Sequence, residues 1–105
     1  MKTAILLAAF AAASLFPGQV AAADLAAGEE RYAINCVNCH GRTGRGMASF
    51  PSIAGRDAEY IASRLYSYRA REMVGPNSAL MFSLVDDLSE EDIRNLSAFI
   101  ADSFR

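Results

Sequence analysis

The chain is poor in the residues that many functional sites need. It has no tryptophan, one histidine and two cysteines among 105 residues, and its only lysine is Lys2. Three Cys and His side chains fall short of the four ligands of a structural zinc site. A net charge of −2 without a strongly basic stretch argues against nucleic-acid binding. A single histidine and no evident nucleophile–base pair also argue against catalysis by side chains.

What the chain does contain is typical of one globular domain. Hydrophobic residues make up 52% and charged residues 21% of the sequence, which argues against disorder. The length allows one domain at most. We find no internal repeat, low-complexity tract or linker.

The N-terminal segment, 1–23, has the pattern of a cleaved export signal. It holds one charge, Lys2, followed by an apolar run over 4–16 and a small-x-small sequence ending at Ala23. We predict cleavage after Ala23, which leaves a small domain over 24–105. A retained membrane anchor is the alternative, but the run is shorter than the ~20 residues of a spanning helix. We therefore expect no stable membrane insertion after cleavage.

The remaining sequence predicts an all-α fold, because no segment alternates like a strand. Apolar residues recur at helical spacing over about 25–34, over about 58–71 and again after Ser89. Ser89 is a good N-cap, and the acidic residues behind it suit the first turn of a helix. Residues 41–55 and 74–87 are rich in turn residues and are predicted as loops. Loops this long in so small a domain suggest that they wrap a ligand.

The predicted core is small. It comes from the apolar faces of the second and third helices: Tyr60, Ile61, Leu65, Tyr68, Ile93, Leu96, Phe99, Ile100 and Phe104. Asp57 is a plausible N-cap for the second helix. A domain of this size usually needs a covalent staple or a cofactor. A disulfide between Cys36 and Cys39 would close a very short loop, so it would add little to the stability of the fold.

The segment Cys36-Val37-Asn38-Cys39-His40 predicts covalent haem attachment. Two thiols at this spacing can add to the two vinyl groups of one porphyrin, and the adjacent imidazole then reaches the iron. A thioredoxin-like redox pair would need a preceding strand and a βαβ context, which the sequence does not show. A structural disulfide with an incidental histidine is a further alternative.

Beyond the motif, other segments carry a resemblance to a known family. They are Gly28 and Tyr32 before Cys36, Gly41 directly after His40, Gly44 and Gly46, Pro51-Ser52-Ile53-Ala54-Gly55, and Leu88-Ser89-Glu90-Glu91-Asp92-Ile93. In these segments the chain resembles small class I bacterial cytochromes c, of the cytochrome c-553 type and of the single domains of cytochrome c4. It is also similar to the cytochrome subunit of flavocytochrome c sulfide dehydrogenase.

This resemblance implies a fold of three to five helices around one covalently bound haem c. It implies that Gly28 allows a close crossing of the first and last helices, and that the Pro51 carbonyl accepts the other ring N–H of His40. The implied function is transfer of single electrons in the periplasm. The implied partners are redox proteins, such as a flavoprotein or a larger cytochrome complex or oxidase.

The sixth iron ligand is expected to be a methionine thioether, which favours the ferrous state and suits an electron carrier. The candidates in the domain that follows Ala23 are Met47, Met73 and Met81. Met47 is too near His40 in sequence to reach the opposite side of a porphyrin. Met81 precedes Leu88 at an offset similar to that of the family's ligand methionine, so it is the predicted ligand. Met73 is the second candidate.

Charge is unevenly distributed along the chain. Residues 31–71 contain seven arginines and two acids, and residues 72–105 contain seven acids and two arginines. These blocks are either solvated faces of helices or a docking device, in which Arg42 and Arg45 steer an acidic partner or pair with the haem carboxylates. Three functions remain open: a diffusible carrier, a dedicated subunit of a redox enzyme such as a flavoprotein sulfide dehydrogenase, and a haem with an open sixth position.

Overall fold

Five helices make up the regular structure of the part of the chain that the computed structural model describes, residues 3–4 and 22–105. They are α1 (Leu25–Asn35), α2 (Val37–His40), α3 (Ala58–Arg69), α4 (Ala79–Val85) and α5 (Glu90–Ser103). The predicted all-α fold is confirmed. No helix in this part is both long enough and apolar enough to cross a membrane. The export signal predicted over 1–23 lies almost wholly outside the described residues.

Helices α1 and α5 cross closely at Gly28. A Cβ at this position would overlap the Asn95 carbonyl and the Cβ of Phe99. The Asn95 side chain also accepts a hydrogen bond from the Asp24 N–H at 2.8 Å, so the start of α1 is tied to the middle of α5. The close crossing that the resemblance implied is confirmed.

The predicted N-caps of the two longest helices are present. The Asp57 side chain accepts from the Tyr60 N–H at 2.7 Å. Ser89 and Asp92 form a capping box, in which each side chain accepts from the other residue's backbone N–H, at 2.9 and 3.0 Å. Such caps satisfy amide groups that the first turn leaves without partners, so they define where each helix begins.

The core lies where α1, α3 and α5 meet. Its buried apolar side chains are Tyr32, Ile61, Leu65, Val85, Leu88, Ile93, Leu96, Ile100 and Phe104. Tyr60, Tyr68 and Phe99 are partly buried and pack against this cluster. The rings of Tyr32, Phe99 and Phe104 contact one another with centroids 5.1–5.6 Å apart. The predicted apolar faces are thus the ones that form the core.

One part of the predicted secondary structure is wrong. The sequence pattern predicts a loop over 74–87, but Ala79–Val85 form α4. The sequence carries no start signal for α4, because the Ser78 side chain accepts from Val74 and Gly75 in the preceding turn and does not cap the helix. So short a segment does not form a stable helix alone. Packing of the fully buried Val85 against the core stabilises α4 instead.

Candidate functional site

A cavity of about 470 Å³ lies between the cysteine–histidine segment, α3 and α4. This volume is in the range of cofactor sites, which are about 300–1,000 Å³. Its lining is mainly apolar and aromatic and includes Phe50, Pro51, Ile53, Tyr60, Ile61, Leu65, Tyr68, Val74, Pro76, Leu80, Leu84 and Ile100. Cys36, Cys39 and His40 all belong to the same lining.

Both cysteines are half-buried free thiols at the edge of this cavity. The Cys36 carbonyl accepts from the N–H groups of Cys39 and His40 at 3.3 and 3.0 Å, so the segment forms one helical turn. Side chains three and four positions apart on such a turn lie on one side of it. Burial raises the pKa of the Cys36 thiol to about 12, which keeps this thiol uncharged at neutral pH.

His40 is buried, with 7% of its surface exposed, and its ring orientation is defined by one hydrogen bond. Nδ1 lies 2.8 Å from the Pro51 carbonyl oxygen. Because a carbonyl can only accept, Nδ1 carries the proton in this contact, so in the neutral imidazole Nε2 is the atom with a lone pair. An imidazole in this tautomer can bind a metal through Nε2, and the Pro51 carbonyl makes it a stronger donor.

The loop after His40 is shaped so that Pro51 can reach the imidazole. The Gly46 N–H donates to the His40 carbonyl at 2.9 Å, and the Tyr32 hydroxyl donates to the Gly41 carbonyl at 2.6 Å. Gly46 has φ +77°, and a Cβ there would overlap the Phe50 carbonyl. A side chain at position 46 would therefore both strain the turn and displace the segment that carries Pro51.

Only one of the three candidate methionines of the described residues reaches the cavity. Met81, on α4, is partly buried and belongs to the lining. Met73 is 60% exposed and Met47 is 48% exposed, and neither belongs to the lining. The structure therefore brings Met81 to the same cavity as Cys36, Cys39 and His40.

The arginines at the cavity differ from those singled out in the sequence. Arg42 and Arg45 are exposed and lie outside the lining, whereas Arg56 and Arg64 belong to it. Their guanidinium carbons lie 4.6 and 5.1 Å from the centre of the Tyr60 ring, and Arg64 Nε donates to the Tyr60 hydroxyl at 3.3 Å. The spacing of Tyr60, Arg64 and Tyr68, one helical turn apart each time, is the sequence signal that could have placed Arg64 at the site.

Comparison with known proteins agrees with this site. A family profile described as cytochrome C oxidase, cbb3-type, subunit III matches residues 23–100. Cytochrome c-554(548) of Halomonas halodenitrificans is 40% identical over 79 residues, which cover 74% of this chain and 94% of that protein. The chain therefore belongs to the cytochrome c family, in the domain type that this profile describes.

Solved structures place the fold in the same family. Reduced cytochrome c4 from Pseudomonas stutzeri matches with a TM-score of 0.63 and 26% identity over 80% of this chain. The chain spans about half of that structure, 51% of its length. Thiosulfate dehydrogenase from Marichromatium purpuratum matches with a TM-score of 0.64 and 29% identity, covering 75% of this chain and 19% of that one.

Membership of this family means that the protein is an electron carrier with covalently bound haem c. The residues present fit that group. Two half-buried thiols and an imidazole with a free lone pair line one cavity, and the rest of its lining is mostly apolar. The predicted class of protein and the predicted cofactor are confirmed.

Proposed function

We propose that the protein carries single electrons in the periplasm through a haem iron ligated by His40 and Met81, with Cys36 and Cys39 holding the porphyrin as thioethers. Haem c supplies the one-electron Fe(II)/Fe(III) couple when bound. The observation that carries the proposal is that these four side chains line one cavity while Met47 and Met73 lie outside it. A thioether ligand favours the ferrous state, which suits a carrier that accepts electrons readily.

Pro51 and the two cavity arginines complete the proposed site. The Pro51 carbonyl holds His40 in the tautomer that leaves Nε2 for the iron. Arg56 and Arg64 are the side chains placed to pair with the haem carboxylates, because they are the arginines of the lining. Charge-assisted hydrogen bonds from arginine to carboxylate are among the stronger polar contacts in proteins.

The proposed location follows from the N-terminal segment. Residues 1–23 act as an export signal that is cleaved after Ala23, and residues 24–105 form the cytochrome domain. The intact mass of the protein purified from cells should equal that of residues 24–105 plus one haem. A mass that includes the N-terminal segment would contradict the proposed cleavage.

The ligand proposal is tested with Met81→Ala and its matched control Met73→Ala. In the oxidised protein, the long-wavelength Met–Fe(III) absorption band should disappear in Met81→Ala and remain in Met73→Ala. The reduction potential should fall in the first variant only, because a thioether ligand raises it. A band that survives unchanged in Met81→Ala would show that Met81 is not the ligand.

A second candidate function is supported by one of the structural neighbours. The neighbour from Marichromatium purpuratum is a thiosulfate dehydrogenase, so a domain of this fold can form part of a redox enzyme. As such a subunit, the protein would accept electrons from a catalytic partner and would not diffuse freely. Size-exclusion chromatography of a native periplasmic extract, with haem detection, separates the two functions. A free carrier elutes at the mass of one small domain and a subunit elutes with its enzyme.

A further inference from the structure

Arg71 joins the end of α3 to the side of α4. Its Nη1 donates to the Phe82 carbonyl at 3.2 Å, and its two Nη atoms donate to both Asp86 carboxylate oxygens at 2.9 Å. Its guanidinium carbon lies 5.6 Å from the centre of the Phe82 ring. Bidentate arginine–carboxylate pairing of this kind restrains the relative orientation of the two side chains as well as their distance. One side chain therefore contacts Phe82 within α4 and Asp86, the residue that caps the C-terminal end of α4.

The backbone at Arg71 is one that arginine seldom adopts. α3 ends in a paired hydrogen-bond pattern: the Arg71 N–H donates to the Tyr68 carbonyl at 3.0 Å. The Glu72 N–H donates to the Ser67 carbonyl, also at 3.0 Å. The residue after the cap is left-handed in this pattern, with φ +62° at Arg71, and glycine is favoured there because it lacks a Cβ. The arginine thus retains a conformational cost that glycine would remove.

Helix α4 depends on contacts of this kind, since it is short and has no side-chain N-cap. Within the described residues, side chains donate to two of its carbonyls, Phe82 from Arg71 and Leu84 from Asn35. The Asn35 contact and the buried Val85 hold the C-terminal end of α4. The Arg71–Asp86 ion pair holds the same end, whereas the Arg71 hydrogen bond to the Phe82 carbonyl lies next to Met81.

We propose that Arg71 is a positioning residue for Met81. By holding Phe82 and Asp86, it keeps α4 against the cavity and so keeps the Met81 thioether at the sixth position of the iron. This inference rests on the proposed His40 and Met81 ligation. Loss of the guanidinium should loosen Met81 without unfolding the domain.

Arg69 provides a matched control two residues away. Its Nη1 donates to Glu90 at 2.6 Å, its Nη2 donates to the Leu88 carbonyl, and its guanidinium carbon lies 5.5 Å from the centre of the Tyr66 ring. Arg69 thus makes the same three kinds of contact as Arg71, an ion pair, a carbonyl hydrogen bond and a ring contact. Its partners, however, belong to α3, to α5 and to the turn before α5, and not to α4.

The test uses the haem-loaded, oxidised variants Arg71→Gly and Arg69→Gly, together with Asp86→Asn. Glycine at position 71 removes the side chain and relieves the left-handed backbone, so folding should be retained. Imidazole is the probe, because it binds the ferric iron only after the methionine has left. Apparent imidazole affinity is measured by titration, the Met–Fe(III) band by absorption, and stability by the denaturant midpoint.

Arg71→Gly and Asp86→Asn should each bind imidazole about two- to fivefold more tightly than the unaltered protein, the effect expected when a short helix loses an exposed ion pair. The double variant should add little to Arg71→Gly, because that variant already lacks the ion pair that Asp86→Asn removes. Arg69→Gly should change imidazole affinity by less than about twofold even if its denaturant midpoint falls more.

The two proposals fail in different ways. If Met81→Ala loses the Met–Fe(III) band but Arg71→Gly binds imidazole no more tightly than Arg69→Gly, the ligand proposal stands and the role of Arg71 is wrong. If imidazole affinity follows the denaturant midpoint across all variants, Arg71 is only structural and the inference is also wrong. If Met81→Ala keeps the band, the ligand proposal fails and the role of Arg71 fails with it.

Discussion

At the scale of single residues, the tightest constraint lies at Gly28, where α1 crosses α5. A Cβ there would meet backbone atoms of Asn95, which cannot move as the end of a flexible side chain can. Tyr32, one turn further along α1, is buried in the aromatic cluster and donates to the Gly41 carbonyl. A shift of α1 would therefore also disturb the loop that follows His40.

Gly28→Ala should lower the free energy of unfolding by about 2 kcal/mol, because the added methyl group forces two helices apart. The matched control is Ala33→Leu, which adds side-chain bulk at an exposed position of the same helix, outside the cavity lining. The control should change stability by less than about 0.5 kcal/mol. Denaturant unfolding of both haem-loaded variants measures the difference. Equal stability of the two variants would contradict a close α1–α5 crossing.

At the scale of helices, α5 and α4 differ in whether the local sequence encodes where the helix begins. α5 begins at a capping box and has three acidic residues in its first turn, so its start is encoded locally. α4 has neither a side-chain cap nor charges that favour its start, and it forms through contacts made by distant parts of the chain. This is why periodicity and capping predicted α5 from the sequence and placed α4 in a loop.

Ser89→Ala should cost about 1 kcal/mol of stability, because the Asp92 N–H loses its acceptor. Ser103→Ala, an exposed serine at the other end of the same helix, is the control and should change stability by less than about 0.5 kcal/mol. Thermal unfolding followed by circular dichroism measures both. A Ser89→Ala variant as stable as the control would mean that the capping box contributes little to α5.

At the scale of the whole molecule, the two charged blocks of the sequence pair with each other. Arg31 contacts Asp87 and Asp92, Arg69 contacts Glu90, and Arg71 contacts Asp86. Each pair is partly exposed and contributes little alone. Together they tie α1 and the end of α3 to the segment around the start of α5. Part of the opposite charge of the two blocks is therefore paired within the domain.

These pairs predict weaker folding in acid. The Arg71 hydrogen bonds lower the pKa of Asp86 from 3.8, and hydrogen bonds from Tyr66 and then Arg69 lower the pKa of Glu90 from 4.5. A carboxyl whose pKa is lowered by folding stabilises the protein above its ordinary pKa and loses that contribution as pH falls through the folded value. The melting temperature should therefore fall as pH decreases below about 4.5.

The variant Asp86→Asn/Glu90→Gln isolates these two carboxyls. It should be less stable than the unaltered protein at pH 7 and should lose less stability in acid. High salt should reduce the difference between the two proteins, because these groups are exposed. An identical acid dependence in both proteins would show that other groups cause the loss.

The proposed haem site adjoins the core of the fold. A cavity of about 470 Å³ beside Ile61, Leu65 and Ile100 is large for a domain of this size. Left without a group to fill it, this cavity would expose apolar side chains to water, which the core of a small domain cannot easily offset. Because core residues also line the cavity, we expect folding of the domain to depend on the cofactor.

Cys36→Ala/Cys39→Ala should consequently yield a chain that binds no covalent haem, has much less helix by circular dichroism and unfolds without a sharp transition. Met81→Ala is the control, because it leaves both thiols in place and should keep haem and helix. A double cysteine variant that retains full helix content and cooperative unfolding would show that the polypeptide folds without its cofactor.

The sequence by itself determined what short stretches of chain encode. The segment Cys36–His40 indicated haem, helical periodicity and Ser89 indicated an all-α domain with a capped last helix, and the wider motifs indicated the family. Each of these features depends on residues a few positions apart, so one sequence is enough to read them.

Only the tertiary structure decided which distant residues meet. It brought Met81 to the cavity and left Met73 exposed, although both lie between α3 and α5. It showed the helix α4 where the sequence predicted a loop. It also showed that Arg56 and Arg64 line the cavity, whereas Arg42 and Arg45 do not. The physical reason is that these outcomes depend on packing between segments far apart in sequence, which no local pattern records.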